Sequence, residues 1–426
     1  MVKTYDAYKD SGIAWIGKIP KKWIVGLVGK YFEEVNNPNI NQEETNTLQF
    51  KMGEIISKSK GDSKYSPETI EAYNVVMPGT IMINGLNLSF DLISQRVAQV
   101  REKGAITSTY LAIFPTKEIK SDYAKYLLKA YDNNKALHAM GRGLRATLSY
   151  RTFRSEPVVV PSLDEQQAIV SYLDEKCSEI DSLVSLQEEM ISELQAYKQS
   201  IITEAVTKGL DSSVPMKNSD VKWIGMIPEE WEVRKIKFIG ESKNGLTYSP
   251  SEVVSEKEGV LVLRSSNIQN GKLCYDDNVY VSSNIPSSLM VKKGDLIICS
   301  RNGSEALVGK CALVEEKIIA SFGAFMMRFQ SRYNYKYTYY LLSCAISQYK
   351  QLFSTTTINQ LTVGVFGNLI MPFTKNEVEQ QAIASYLDEK TSQIDALIAI
   401  KQEKITELKD YKKSIIYEYV TGKKKV

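Results

Sequence analysis

Histidine occurs once in the 426 residues, at His138, and a single imidazole cannot build a multi-histidine metal centre or serve two independent catalytic triads. Cysteine is scarce and unpatterned. Cys177, Cys274, Cys299, Cys311 and Cys344 are odd in number, widely spaced and free of any C-x-x-C pair, which argues against a disulfide framework or zinc site and for reduced, mostly packed thiols. No window approaches 18 consecutive apolar residues, and the opening MVKTYDAYKDSG lacks the apolar core of a signal peptide. A cytoplasmic protein with no membrane partner is expected. Neither sign of charge dominates: 53 basic against 50 acidic residues leave +3, so binding to a polyanion would have to come from local patches.

Catalytic signatures are also missing. No GxGxxG opens a helix after a strand, and the nearest approach to a P-loop, GSEALVGKC from Gly303 to Cys311, has one residue too many and Cys where Ser or Thr should meet magnesium. No Asn-Pro-Pro-aromatic motif of an amino-methyltransferase occurs, and carboxylate neighbours such as Asp174 with Glu175 fall on a helix surface. The chain reads as non-catalytic, with no metal or cofactor of its own.

What is present is a duplication. EQQAIVSYLDEKCSEIDSLVSLQEEMISELQAYKQSIITEAVT begins at Glu165 and EQQAIASYLDEKTSQIDALIAIKQEKITELKDYKKSIIYEYVT at Glu379, with about 27 of 43 positions identical. Neither copy is interrupted by Gly or Pro, so each is expected to be one long helix. Ser162 with Glu165 and Asn376 with Glu379 have capping-box spacing, and Gly209 and Gly422 stand where a left-handed terminus belongs. About 44 residues at 1.5 Å each give roughly 65 Å. The apolar positions expected to pack the pair are Ile180, Leu183, Leu194, Tyr197 and Ile201, with Ile394, Leu397, Leu408, Tyr411 and Ile415. Antiparallel packing is favoured, because a parallel pair would require the chain to travel back about 65 Å through a domain with a radius of gyration of about 14 Å.

A shorter repeat precedes each helix. WIGKIPKKW (Trp15 to Trp23) returns as WIGMIPEEW (Trp223 to Trp231), and together they hold all four tryptophans. An aromatic Ile-Pro turn of this kind is expected to be a docking clip that buries Trp15, Ile19 and Trp23 rather than a ligand contact. The resulting segments are 1–161, 162–209, 210–373 and 374–426, two globular and two helical. The fold class is α/β (α+β): two mixed globular domains separated by a long antiparallel two-helix coiled coil with pseudo-twofold internal duplication. The globular segments share little beyond VMPGTIMI from Val76 against VKKGDLII from Val291, and Tyr126-Leu127-Leu128 against Tyr340-Leu341-Leu342. Sameness in the helices and divergence in the domains suggests that the helices meet an identical partner twice while the domains read different things.

The domains carry the chemistry of nucleic-acid contact. GRGLRATLSYRTFR contains Arg142, Arg145, Arg151 and Arg154 with no acid; it suits phosphate or guanine recognition, or is a solvated basic loop. Arg264 and Asn267 in RSSN, and Arg301, Asn302 and Ser304 in SRNGS, follow apolar strands, and Arg and Asn are the side chains that make two-pronged contacts to guanine and adenine. Asn84, Asn87, Gln95 and Arg96 are the comparable candidates in the first domain.

WIGKIPKKW, PSLDEQQAI, SYLDEK, IDSLV and YKQSIITEAVTKG, all duplicated, resemble the specificity subunit of type I restriction-modification enzymes over essentially the whole chain. The resemblance implies a non-catalytic DNA-reading subunit whose two target recognition domains each read half of a split double-stranded DNA site, the helices fixing the spacer. It further implies two methyltransferase (modification) subunits that use S-adenosylmethionine, and restriction subunits that use ATP and magnesium. A self-contained DNA methyltransferase or nuclease, and a coiled-coil scaffold whose domains bind protein, are the alternatives.

Overall fold

Both long helices form where Gly and Pro are absent, spanning Leu163–Lys208 and Glu377–Val420. Each starts on half of the expected capping box. Ser162 Oγ accepts from the Glu165 N–H at 3.4 Å and Asn376 Oδ1 from the Glu379 N–H at 3.3 Å. The Glu379 carboxylate does not return the bond to its cap; it accepts from Trp231 Nε1 at 3.0 Å and from Thr374 Oγ1 at 2.6 Å. Gly209 and Gly422, at φ of +75° and +70°, close the helices in the left-handed conformation. The second repeat docks at these ends: Trp23 and Trp231 are buried, and Tyr417 Oη donates to the Trp15 carbonyl at 3.0 Å.

The computed structural model describes residues 3–58, 70–141, 146–282, 284–350 and 359–426. The chain forms two compact units, Met1–Glu188 with Gln402–Val426, and Glu189–Lys401. Each unit takes one globular segment and part of both long helices.

In the first unit, β1 (Phe32–Glu34), β2 (Ile81–Ile83), β3 (Val97–Gln99) and β4 (Leu111–Pro115) make an antiparallel sheet in the order β1-β4-β2-β3, with α1 (Ser121–Asn133) following β4. Its core joins Ile19 and Trp23 of the clip, Ile81 and Ile83 of the sheet, Tyr123 and Leu127 of α1, and Ile169, Leu173 and Ile415 of the long helices. The second unit repeats the plan. β5 (Gly240–Asn244), β6 (Leu296–Cys299), β7 (Cys311–Leu313) and β8 (Met326–Ser331) form the sheet β5-β8-β6-β7, and α2 (Tyr335–Gln348) follows β8. The related octapeptides VMPGTIMI and VKKGDLII thus lead into the same strand of the two sheets, β2 and β6.

The duplicated motif residues mount each sheet-and-helix assembly on its long helix. Tyr126 Oη donates to Asp174 Oδ1 at 2.6 Å and Tyr340 Oη to Asp388 Oδ1 at 2.8 Å. Gln166 and Gln380 are fully buried: Gln166 accepts from Lys120 N at 2.7 Å and donates to Glu118 O and Pro161 O, while Gln380 accepts from Asn334 N at 3.2 Å and donates to Thr374 O. A buried carboxamide with both ends satisfied cannot be exchanged for an apolar residue without orphaning backbone groups, which explains the repeated EQQ.

Within each unit the helix segments run antiparallel. Asp181 pairs with Lys412 at 2.6 Å and Glu188 with Lys409 at 3.7 Å in the first; Lys198 pairs with Asp395 at 2.6 Å in the second, where Met190 meets Lys401. Ile180, Ile201, Ile394 and Ile415 are buried, and Leu194 and Leu408 pack partly buried beside them. Leu183, Tyr197, Leu397 and Tyr411, expected in the seam, are instead about half exposed. A seam between two helices is a narrow stripe, and these four flank it.

Candidate nucleic-acid interface

In the second unit β6 ends at Cys299, and the chain turns into a short strand, Arg301–Asn302, held against Asn359–Gln360. The Arg301 N–H also donates to the Phe325 carbonyl at 3.2 Å, so its backbone is fixed on two sides. Its guanidinium lies 5.3 Å from the centre of the exposed Phe325 ring and makes no ion pair among the described residues. Asn302 Nδ2 donates to Ser265 Oγ at 3.2 Å and its Oδ1 accepts from the exposed Ser304 N–H at 3.0 Å. Arg264, half-buried, is paired through Nη2 with Asp277 Oδ2 at 2.8 Å. These side chains share a cleft of about 1030 Å³ with Tyr248, Phe325 and Asn359. Behind Gly323, which lines the cleft, the backbone approaches too closely for a side chain: a β-carbon on Gly245 would stand 2.2 Å from the Gly323 carbonyl oxygen.

Asn267 is fully buried, which removes it from the interface. Its Oδ1 accepts from Arg264 N at 2.9 Å, and its Nδ2 donates to the carbonyls of Cys274 and Asp277 and to Asn278 Oδ1. It holds the loop that presents Arg264.

In the first unit the loop after β2 is organised by Arg96, which is 1% exposed and therefore also not a reader. Its Nη1 donates to Asn84 O at 3.1 Å and Leu86 O at 2.7 Å; its Nη2 donates to Asn87 O at 3.4 Å and Asp91 O at 2.7 Å. The Arg96 N–H binds Asp132 Oδ2 at 2.7 Å, yet burial still raises the Asp132 carboxyl above its ordinary range. The Ser94 side chain first, and then the N–H groups of Ser94 and Ile93 that donate to Asp91 Oδ1, hold the Asp91 carboxyl well below the usual range. His138 Nε2 meets Asp91 O at 3.2 Å, and burial lowers its imidazole pKa. A rigid loop results, presenting Asn87 (φ +52°) and Gln95 with the exposed apolar tips Phe90, Leu92 and Ile93. Asn84 is partly exposed, and Gln95 lies over Gly53.

A second cleft, of about 530 Å³, opens beside this loop between Gln49, Phe50, Leu86, Thr107 and Tyr110. None of these was singled out by residue type, because they become neighbours only through the parallel Thr47–Ala105 pairing. Of the basic stretch, Arg142 and Arg145 lie outside the described residues. Arg151 and Arg154 are exposed on and beside a single helical turn, Tyr150–Phe153, whose Tyr150 Oη donates to Phe32 O at 2.6 Å. Among the described residues no three His, Cys, Asp or Glu side chains gather to hold a metal ion, and no helix is long and apolar enough to cross a membrane.

Residues 228–410 match the family described as Type I restriction modification DNA specificity domain. A Methanocaldococcus jannaschii protein named type I restriction enzyme MjaVIII specificity subunit is 26% identical over 339 residues, covering 76% of this chain and 75% of the relative. The putative type I restriction enzyme MjaX specificity subunit of the same organism is 23% identical over the full length of both. One solved chain, from work on complex assembly and conformational transition of the type I R-M system, superposes with a TM-score of 0.70 at 15% identity. It covers 94% of this chain and 98% of that one, a likeness of fold.

Proposed function

We infer that the chain belongs to the type I restriction-modification specificity-subunit family, a family of non-catalytic recognition subunits, as the match over residues 228–410 and the likeness to the MjaVIII subunit support, and from that premise we propose that its two units each read one half of a split double-stranded DNA sequence. The observation that carries this reading is the contrast between mount and surface. The anchors Tyr126 to Asp174 and Tyr340 to Asp388 are the same in both units, whereas the clefts beside β2 and β6 are lined by different side chains. Identical mounting with divergent surfaces suits two readers of different sequences. Exposed Arg151 and Arg154 supply phosphate contacts that orient the first unit without reading sequence.

The exposed helix residues suit a partner that docks twice. Leu183 and Leu186 on the first helix recur as Leu397 and Ile400 on the second, and Tyr197 recurs as Tyr411, all at equivalent positions and all open to solvent. Apolar side chains repeated on an otherwise polar face mark an interaction surface rather than a core. In this reading they receive two copies of a methyltransferase subunit, restriction subunits join the full complex, and S-adenosylmethionine, ATP and magnesium belong to those cytoplasmic partners.

The helix length sets the unread spacer. Four residues inserted at equivalent positions of both helices should lengthen it, and an unchanged spacer would refute the ruler. DNA recognition itself is tested by selecting ligands from a random duplex library with the copurified complex. Enrichment of two short motifs at fixed separation supports the proposal; no enrichment, with a stable protein complex, favours a protein-binding scaffold.

A further inference from the structure

The two sheets can be aligned residue by residue, because the same backbone hydrogen bonds recur around β2 and β6. Gly79 N donates to Val100 O and Val100 N to Thr80 O; Gly294 N donates to Val314 O and Val314 N to Asp295 O, all at 2.8 to 2.9 Å. Past the strand, Asn84 N bonds Arg96 O as Cys299 N bonds Lys310 O, both at 2.8 Å. Leu148 N then bonds Gly85 O at 2.9 Å as Leu361 N bonds Ser300 O at 2.7 Å. This register sets Leu86 in the place of Arg301.

The opposite wall aligns as well. Val76 pairs with Gly104, and its counterpart Val291 donates to Ala320 O at 2.9 Å. The parallel pairings Thr47 with Ala105 and Val262 with Ser321 therefore correspond. Two residues further along, Gln49 takes the place of Arg264. Both members of each matched pair line a cleft, Gln49 and Leu86 in the first unit, Arg264 and Arg301 in the second. The clefts are one site carried twice with its side chains exchanged.

We propose that this duplicated cleft is the base-reading site of each unit, and that the second unit reads a guanine through Arg301 while the first reads an adenine·thymine pair through Gln49 beside Leu86. The proposal rests on the DNA-reading function above and adds the chemical identity of the half-sites. A guanidinium fork matches O6 and N7 of guanine, a carboxamide matches N6 and N7 of adenine, and an aliphatic side chain packs on the thymine methyl. Arg264 is committed to Asp277, whereas Arg301 makes no ion pair among the described residues and lies against the Phe325 ring, which leaves its fork to act. Among the described residues no arginine lines the first cleft, and Arg96, the arginine of the adjoining loop, is consumed by four carbonyls.

The test uses the complete complex with its methyltransferase partner on a randomised duplex library, comparing wild type with Arg301→Gln, Arg301→Lys and Gln49→Ala. Both Arg301 variants should lose on the order of 10- to 100-fold in preference for one guanine, with the other half-site intact, because Lys keeps the charge and loses the fork. Gln49→Ala should relax an adenine·thymine position in the other half. Uniform weakening on all sequences with the guanine preference retained makes Arg301 a phosphate contact and overturns the assignment, as does relaxation at a base other than guanine. A wild-type complex that binds DNA without preference overturns the underlying function as well, a result distinguishable before any variant is made.

Discussion

Tyr340 donates a 2.8 Å hydrogen bond to Asp388, fastening α2 to the second long helix. Tyr340 is almost fully buried and the carboxylate is about a third exposed, so this is a charge-assisted bond partly open to solvent. Removing the hydroxyl in Tyr340→Phe should cost about 1 to 2 kcal/mol. Tyr126→Phe, which breaks the matching bond to Asp174, should cost a similar amount. Urea denaturation measures both, and a loss confined to one of the two would contradict an equivalent mount.

Arg96 and Arg301 occupy loops at the same place in the two folds and should behave oppositely. Arg96→Met orphans carbonyls buried around its guanidinium and should destabilise the first unit by about 3 kcal/mol, with protease cleavage near Phe90 increasing. Arg301→Gln alters a partly exposed side chain that makes no ion pair among the described residues, and should shift stability by less than about 0.5 kcal/mol. Calorimetry of the two variants decides it, and equal destabilisation would remove the distinction between builder and reader.

Those two arginines also mark how far sequence reading reaches. The long helices, their glycine ends and the tryptophan clips were legible, because period, capping and repetition are local properties that survive folding unchanged. The octapeptides VMPGTIMI and VKKGDLII foretold the shared strand. Arg96 and Asn267 were misread, since an arginine or asparagine offers the same donors to a base edge and to a backbone carbonyl, and only burial distinguishes the two. Leu183, Tyr197, Leu397 and Tyr411 were placed in the seam because periodicity finds an apolar stripe without measuring its width. Gln49, Leu86 and Phe325 were invisible: none is conspicuous by type, and strand pairing alone brings them to the clefts.

The exposed apolar positions of the helices should matter to partner binding and little to folding. Leu186→Glu combined with Ile400→Glu leaves the buried seam untouched and should preserve the thermal midpoint to within about 2 °C. Affinity for the methyltransferase subunit should fall 10-fold or more, as expected when apolar anchors of an interface acquire charge. Titration calorimetry with the purified partner provides the value, and an unchanged Kd would place the docking surface elsewhere.

His138 gives the first unit one clean pH signature. Burial holds its imidazole below the ordinary value of about 6.5, so between the folded and unfolded values the unfolded chain binds more protons. Stability therefore rises with pH across that window; it falls as pH drops through about 6.5 and stops falling once the folded value is passed. His138→Asn should lose less stability than the wild type between pH 7.5 and 5.5. Equal losses in paired urea titrations would show that the ring's environment does not disfavour its charge.

The most direct measurement is base-resolution methylation mapping of DNA from cells expressing this chain with its methyltransferase partner, beside cells expressing the partner alone. A new split motif with a fixed spacer, present only when both chains are expressed, is the predicted result. An unchanged methylation pattern, from cells in which the two chains form a stable complex, would contradict the account.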